Sequence, residues 1–160
     1  MSSQGATRFV PDRPLPPYAF VPGVNPHPVR DPKGHMFGAP QCQVAPCDPE
    51  AWRSDAEYLF GVDLYHAAFF WEAHEVWEGL WKAAADPIQR DFLQGLIQVA
   101  AAVLKIRMEE PDGARKLRDR ARERLERVAK QHERYMGVDV PELLAALERL
   151  PGAVPELAPD

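Results

Sequence analysis

The residues best suited to chemistry lie in one short segment, which runs from Phe69 to Trp81 and holds histidine, glutamate and tryptophan at helical spacing. At 100° per residue, Glu78 falls about 40° from His74 around a helix, and Trp81 falls about 20° from it on the other side. Because His74 and Glu78 are four residues apart, their side chains are neighbours on one helix face. The segment therefore predicts an imidazole–carboxylate pair with an indole close by.

Large apolar side chains flank this pair on the helical wheel. Three aromatic residues lie within about 60° of His74, namely Phe70, Trp71 and Trp77. Glu72 and Glu75 lie at the border of that arc or beyond it. A carboxylate among tryptophans loses several kcal/mol of hydration unless it is paired or hydrogen-bonded. We therefore expect His74 and Glu78 to face inward as a pair, and Glu72 and Glu75 to face outward or border the arc.

The pair admits four interpretations. It is a structural polar pair in the core, a small-ligand pocket closed by Trp81, a metal site, or a general acid–base pair. His74 and Glu78 are thus the candidate catalytic residues and the candidate metal ligands. The zinc protease motif needs a second histidine where this chain has Glu78, so a metal-dependent hydrolase is an alternative to the pocket or polar core. No cofactor is predicted, and a divalent metal is the alternative.

Four further residues are candidates for ligand binding. Gln94 and Gln98 share one face of the following helix, which is apolar almost all round, and we expect them to hydrogen-bond the pair, with a solvated glutamine strip as the alternative. His27 and His35 lie in the amino-terminal segment, from which a loop could reach over the helical body.

Hydrophobic periodicity predicts five helices, over residues 55–66, 69–84, 87–108, 114–136 and about 139–150. The sequence Ser54-Asp55-Ala56-Glu57 is a capping box that starts the first helix. A bend near Ala67–Ala68 separates the first two helices, and Pro111-Asp112-Gly113 separates the third from the fourth, which Gly137 ends. No strand signal is visible. The chain is therefore predicted to be an all-α bundle of about five helices.

The amino-terminal third differs from the rest in composition. Of 17 prolines, 11 precede residue 50, and this density excludes helices and central strands. Aromatic residues interspersed among the prolines favour an extended arm packed on the body over a disordered tail. We therefore predict an arm over residues 1–53, a bundle domain over 54–151 and a tail over 152–160.

The net charge and the hydropathy of the chain limit the classes of partner that it can have. The 160 residues carry 19 basic and 24 acidic side chains, a net charge of −5, which makes nucleic acid an unlikely partner. No stretch of about 20 apolar residues and no signal peptide are present, so the default is a cytoplasmic protein without a membrane span. Acidic residues are interleaved with the arginines of helix 114–136, which favours a solvated, ion-paired face. A protein-interaction module that uses this face is the last of the three functional alternatives. A small molecule is the candidate partner, and homo-oligomerisation is open.

The stretch from Phe70 to Lys105 closely resembles the bacterial and archaeal family known as domain of unknown function 309, whose hallmark is His-x3-Glu-x2-Trp. His74, Glu78 and Trp81 match that hallmark. Residues 92–101 resemble the second signature segment of the family, and the segments around His27 and His35 resemble the extended amino-terminal form of some members.

This resemblance covers about residues 55–137. It implies a small helical bundle and assigns no activity. One departure is visible, because the family usually has glycine in the bend where this chain has Ala67-Ala68.

Overall fold

Five α-helices, one short 3₁₀ helix and a small hairpin form the regular structure of this chain in a computed structural model that describes residues 7–41 and 43–160. Residues 1–6 and residue 42 of the predicted arm lie outside this description. In chain order the elements are the 3₁₀ helix Pro49–Ser54, α1 Ala56–His66, α2 Phe70–Ala83, α3 Pro87–Arg107, α4 Pro111–Ala129, β1 Arg134–Tyr135, β2 Val138–Asp139 and α5 Val140–Leu147. The predicted all-α bundle is confirmed.

The third helix, α3, lies at the centre of the bundle. It packs against α2 and against α4, while α1 packs on α2 and α5 packs on α4. A Cβ atom at Gly95 of α3 would stand 2.8 Å from the side chain of Leu125 in α4, so glycine permits the close approach of these helices. The fully buried side chains between the helices include Trp77, Tyr58, Phe92, Leu96, Leu125 and Leu147.

The start of α1 differs from the predicted capping box. Asp55, and not Ser54, is the N-cap, and its carboxylate accepts a hydrogen bond of 2.9 Å from the backbone N–H of Tyr58. Ser54 ends the preceding 3₁₀ helix and donates its hydroxyl to the carbonyl of Ala51. The 3₁₀ helix therefore shifts the cap by one residue along the chain.

The bend between α1 and α2 lies where the sequence predicts it. Ala68 has a φ of +69°, a left-handed conformation that usually falls to glycine. The backbone N–H of Phe69 donates to the carbonyl of Leu64 at 2.8 Å, so the turn satisfies the end of α1. In this chain an alanine therefore occupies the left-handed position of the turn, although the resemblance to the family led us to expect glycine there.

The predicted helix 114–136 is wrong at both ends. Pro111 stands in the first turn of α4, where its missing N–H costs nothing, and the break falls at Glu109, whose φ is +59°. At the other end, α4 stops at Ala129, and residues 134–139 form an antiparallel hairpin. Its turn residues Met136 and Gly137 have φ values of +46° and +81°. Since Met-Gly is not one of the usual hairpin dipeptides, the sequence gives no strand signal there.

Both chain ends contact the helices. The Asp63 carboxylate of α1 accepts hydrogen bonds of 2.8 Å from the backbone N–H groups of Phe9 and Val10. On the tail, the carbonyl of Pro155 accepts the hydroxyl of Tyr65, and Leu157 is fully buried. The division into arm, bundle and tail stays a prediction. Among the residues that the structure describes, no helix is long and apolar enough to cross a bilayer.

Candidate functional site

The inward side of α2 is centred on Trp77, not on His74. Phe70, Ala73, Trp77 and Leu80 are buried on one side of the helix, while Glu75 and Lys82 are exposed on the other. The side chains of His74 and Glu78 lie at the boundary, 26% and 33% exposed. The pair is therefore half-buried and within reach of solvent. The sequence predicted instead that it faces the core, because aromatic residues flank it on the helical wheel.

The ring of His74 is oriented by its own helix. Its Nδ1 lies 3.2 Å from the backbone carbonyl oxygen of Trp71, which can only accept a hydrogen bond, so Nδ1 carries the proton. Nε2, the other ring nitrogen, lies 3.7 Å from a carboxylate oxygen of Glu78. The helix thus holds the imidazole through one nitrogen and leaves the other beside a carboxylate.

Two further charged side chains complete this cluster. A carboxylate oxygen of Glu75 lies 3.5 Å from Nδ1 of His74. Lys82 places its Nζ 3.4 Å from the other oxygen of Glu78. One ligand atom each from His74, Glu75 and Glu78 lie within 4.8 Å of one another. The sequence prediction left Glu75 out because it expected the chemistry on the inward side, although Glu75 and His74 lie three and four residues before Glu78, and both spacings make their side chains neighbours of Glu78 on a helix.

The three tryptophans of α2 enter three different environments. Trp77 is fully buried and lies 3.4 Å from the carbonyl of Tyr58 through its indole nitrogen. The ring of Trp71 contacts the amino-terminal segment and lies 6.4 Å from the ring of His74. Arg90 stacks on the ring of Trp81 at 4.3 Å. In the described part of the chain, Trp81 makes no hydrogen bond to His74 or Glu78, and the pocket of these three residues stays a prediction.

Glu72 corrects the expectation that it faces outward or borders the arc. It is only 5% exposed, because the amino-terminal segment covers this side of α2. One of its carboxylate oxygens accepts the backbone N–H of Phe20 at 2.9 Å, and the other has no partner among the described residues. Burial raises the pKa of this carboxyl, and the hydrogen bond from Phe20 opposes that rise. Helical periodicity shows only one helix at a time, so it cannot reveal a covering segment.

The two glutamines of α3 lie apart from the His74–Glu78 pair. Gln98 is buried, and its side-chain oxygen has no hydrogen-bond partner among the described residues. Asp91 and Gly95, which share this side of α3, both contact α4. The structure therefore turns the Gln94–Gln98 side of α3 toward α4, and it records no hydrogen bond from either glutamine to the pair within the described ranges.

The two histidines of the arm occupy different places. The ring of His27 packs edge-on against Trp71 at 5.3 Å, so it stands near His74. Its Nδ1 accepts the backbone N–H groups of Val29 and Arg30 at 3.2 and 3.1 Å. The proton of the neutral ring is therefore on Nε2, which makes His27 a donor and a poor metal ligand. His35 packs edge-on against Tyr18 instead, and burial lowers its pKa.

The charges of α4 are mostly paired. Arg124 and Arg127 bind Asp91 of α3 at 3.1 and 3.0 Å, and Arg122 reaches Glu148. The hydrogen bonds from Arg127 and Arg124 lower the pKa of Asp91. Such pairing is typical of a solvated face that also joins neighbouring helices.

The comparison with protein-family models finds a match in the segment of the chain that carries these features. Residues 58–117, from α1 to the first turns of α4, match the family model described as domain of unknown function (DUF309). No curated protein and no solved structure matches this chain significantly. The matched residues include His74, Glu75, Glu78 and Trp81, so the half-buried cluster lies inside the domain. Over residues 58–117, this chain is therefore similar to the DUF309 family.

Proposed function

We propose that this protein binds one divalent transition-metal ion on the outward side of α2, through His74, Glu75 and Glu78. The observation that carries the proposal is the approach of their three ligand atoms to within 4.8 Å of one another. Metal–ligand bonds of about 2 Å bring ligand atoms roughly 3 to 4 Å apart. Rotations of the Glu75 and Glu78 side chains would bring the three ligand atoms to that separation.

The orientation of the imidazole supports this proposal. Metal-binding histidines usually donate their second ring N–H to a carbonyl or carboxylate, which fixes the tautomer. His74 makes this contact with the carbonyl of Trp71 at 3.2 Å, and its other nitrogen lies 3.7 Å from Glu78. The hydrogen bond to the helix backbone thus orders the His74 ring before an ion binds, which lowers the entropic cost of binding.

The ligand types indicate which ions to expect. One imidazole and two carboxylates suit Zn²⁺, Mn²⁺ or Fe²⁺, whereas the absence of a cysteine from this cluster disfavours soft ions such as Cu⁺. Two carboxylates also supply the negative charge that attracts a dication. Lys82 reduces that charge by its contact with Glu78.

Hydrolysis is the second candidate function, and the exposure of the site favours it. Three ligands from one helix, with Glu75 facing solvent, leave the outward positions of an ion open. A bound ion would supply Lewis acidity toward a substrate oxygen. His27 does not complete the ligand set, because its Nδ1 is committed to two backbone N–H groups.

Metal binding is tested by equilibrium dialysis of the purified full chain against ZnCl₂ and MnCl₂, with the bound metal measured by elemental analysis and the affinity by calorimetry. We expect one ion per chain, and a loss of affinity of roughly tenfold or more in His74→Gln and in Glu78→Gln. His132→Gln and Glu126→Gln are matched controls on exposed residues of other segments.

The controls decide between a built site and surface binding. We expect both control variants to bind as the parent chain does. Substoichiometric binding by the parent, or equal losses in the site variants and the controls, would refute the proposal. Hydrolysis is then assayed with a chromogenic phosphodiester and a chromogenic ester, and activity that survives both His74→Gln and chelation excludes this site as its source.

A further inference from the structure

A cavity lies away from the His74 cluster, where the 3₁₀ helix, the start of α3 and the β1–β2 hairpin meet. Its volume is about 440 Å³, which lies within the range of small-molecule sites. Trp52, Tyr135 and Gly137 form its walls, and charged residues form its rim. It shares no residue with the proposed metal site.

The walls of this cavity are held rigidly. A Cβ atom at Gly137 would stand 2.5 Å from the ring of Trp52, so the hairpin turn packs directly on the indole. The buried hydroxyl of Tyr58 donates to the carbonyl of Met136 at 2.9 Å. Tyr135 packs against Phe92 of α3, with ring centres 5.0 Å apart. The cavity is therefore preorganised by the core and does not depend on a loose loop.

Tyr135 brings an unsatisfied polar group to this cavity. The residue is 8% exposed, and its hydroxyl lies beside the carboxylate of Asp86 without a hydrogen bond of ordinary geometry to any described residue. Burial and the neighbouring Asp86 carboxylate raise the pKa of Tyr135, so the hydroxyl keeps its proton near neutral pH. A buried hydroxyl without a well-formed hydrogen bond is unfavourable, and a ligand that accepts its hydrogen bond would remove that cost.

The rim supplies an arginine that is free to meet an anion. The guanidinium of Arg53 lies over the ring of Trp52 at 4.4 Å, and Arg53 forms no ion pair with any residue that the structure describes. Among the acidic residues that line the cavity, Asp160 is paired with Arg134, whereas the carboxylate of Asp86 accepts the N–H of Gln89 and keeps its charge. Asp86 and Glu50 therefore oppose an anion.

We propose that this cavity binds a small organic carboxylate, whose oxygens accept hydrogen bonds from Arg53 and from the hydroxyl of Tyr135. The planar guanidinium of an arginine presents its N–H groups in a fork that matches the two oxygens of a carboxylate. His132, whose ring lies 5.1 Å from that of Tyr135, adds a third donor. Glu50 opposes the anion from the rim.

The probe is benzoate, titrated into the ¹⁵N-labelled full chain while amide shifts are followed by NMR. We expect saturable shifts at residues 134–137. Arg53→Gln should weaken binding roughly tenfold or more, because it removes a charge-assisted hydrogen bond, and Tyr135→Phe should weaken it by roughly threefold or more. Glu50→Gln should tighten binding by a few-fold, since it removes a repulsive charge. Arg149→Gln, an exposed arginine outside the cavity, is the matched control.

Several results would overturn this proposal. Benzoate that causes no saturable shift excludes the carboxylate site, and so does an Arg53→Gln variant that binds as Arg149→Gln does. Weaker binding in Glu50→Gln contradicts an anionic ligand. Inorganic phosphate is titrated in parallel, and tighter binding of phosphate than of benzoate excludes the carboxylate class. Thermal melts of each variant establish that it is folded, and the Arg53 and Glu50 variants keep the test decisive if Tyr135→Phe unfolds.

Discussion

At the scale of single residues, Glu78 is the group that the proposed metal ion and the Lys82 ammonium would both contact. One of its carboxylate oxygens lies 3.7 Å from His74 and the other lies 3.4 Å from Lys82. Because Lys82 is 67% exposed, its pair with Glu78 adds little to stability, about 0.5 kcal/mol or less. A metal ion on Glu78 would be repelled by the ammonium group beside it. We therefore expect Lys82 to weaken metal binding at the proposed site by a small factor.

Lys82→Gln tests that competition directly. We expect it to tighten Zn²⁺ binding by roughly two- to fivefold at low salt, because the substitution removes a positive charge near the ion. The free energy of unfolding should change by less than about 0.5 kcal/mol. Calorimetric titration at two salt concentrations measures the first effect and urea unfolding the second. Unchanged or weaker Zn²⁺ binding would place the ion away from Glu78.

At the scale of elements, the sequence predicted the helices well and their junctions less well. Periodicity located α2, α3 and α5 because each has an apolar side that neighbouring elements bury. The helix α1 is buried all round from Tyr58 to Tyr65, and its capping sequence and continuous apolar run located it instead. It missed the hairpin at 134–139, since Met136 and Gly137 resemble a helix end as much as a turn. It also placed His74 inward, because three indoles on one helix suggested a single aromatic core. In the structure, Arg90 and the amino-terminal segment cover two of those rings.

The junction between α1 and α2 gives a stability prediction. Ala68 holds a φ of +69°, which costs an L-residue about 1 kcal/mol relative to glycine. We expect Ala68→Gly to stabilise the protein by about 0.5 kcal/mol after the greater chain entropy of glycine is subtracted. The control is Ala67→Gly, at a φ of −84°, which should destabilise it. Urea unfolding of both variants measures the difference, and a loss of stability in Ala68→Gly would show that the methyl contact outweighs the strain.

The contact between α3 and α4 gives a pH prediction through Asp91. Arg127 and Arg124 lower the pKa of this carboxyl below its ordinary value of 3.8. The stabilisation is therefore complete above about pH 4 and is lost as the pH falls through the lowered value. Asp91→Asn should cost about 1 kcal/mol at pH 7, and the difference from the parent chain should shrink below pH 3.8. Urea unfolding at pH 7 and pH 3 measures both, and an equal loss at the two pH values would exclude an ionic cause.

At the scale of the whole molecule, buried carboxylates attach the amino-terminal segment to the helices. The sequence showed that this segment contains aromatic residues and no helix, but it could not show which side of which helix it covers, because backbone N–H groups make the contacts. Asp63, with a side chain 1% exposed, accepts two such groups and lies 3.5 Å from Arg8. Glu57 reaches Arg13 at a half-exposed position. These two anchors differ in burial and in the number of hydrogen bonds that they accept from the amino-terminal segment.

That difference in burial predicts unequal costs. Asp63→Ala leaves two backbone donors and one arginine without their acceptor, so we expect a loss of about 2 to 3 kcal/mol and faster hydrogen exchange at Phe9 and Val10. Glu57→Gln should cost less than about 1 kcal/mol, since its ion pair is largely solvated. Urea unfolding and amide exchange of the two variants give both quantities. If Asp63→Ala loses stability while Phe9 and Val10 exchange as in the parent chain, Asp63 acts within α1 and does not hold the amino-terminal segment.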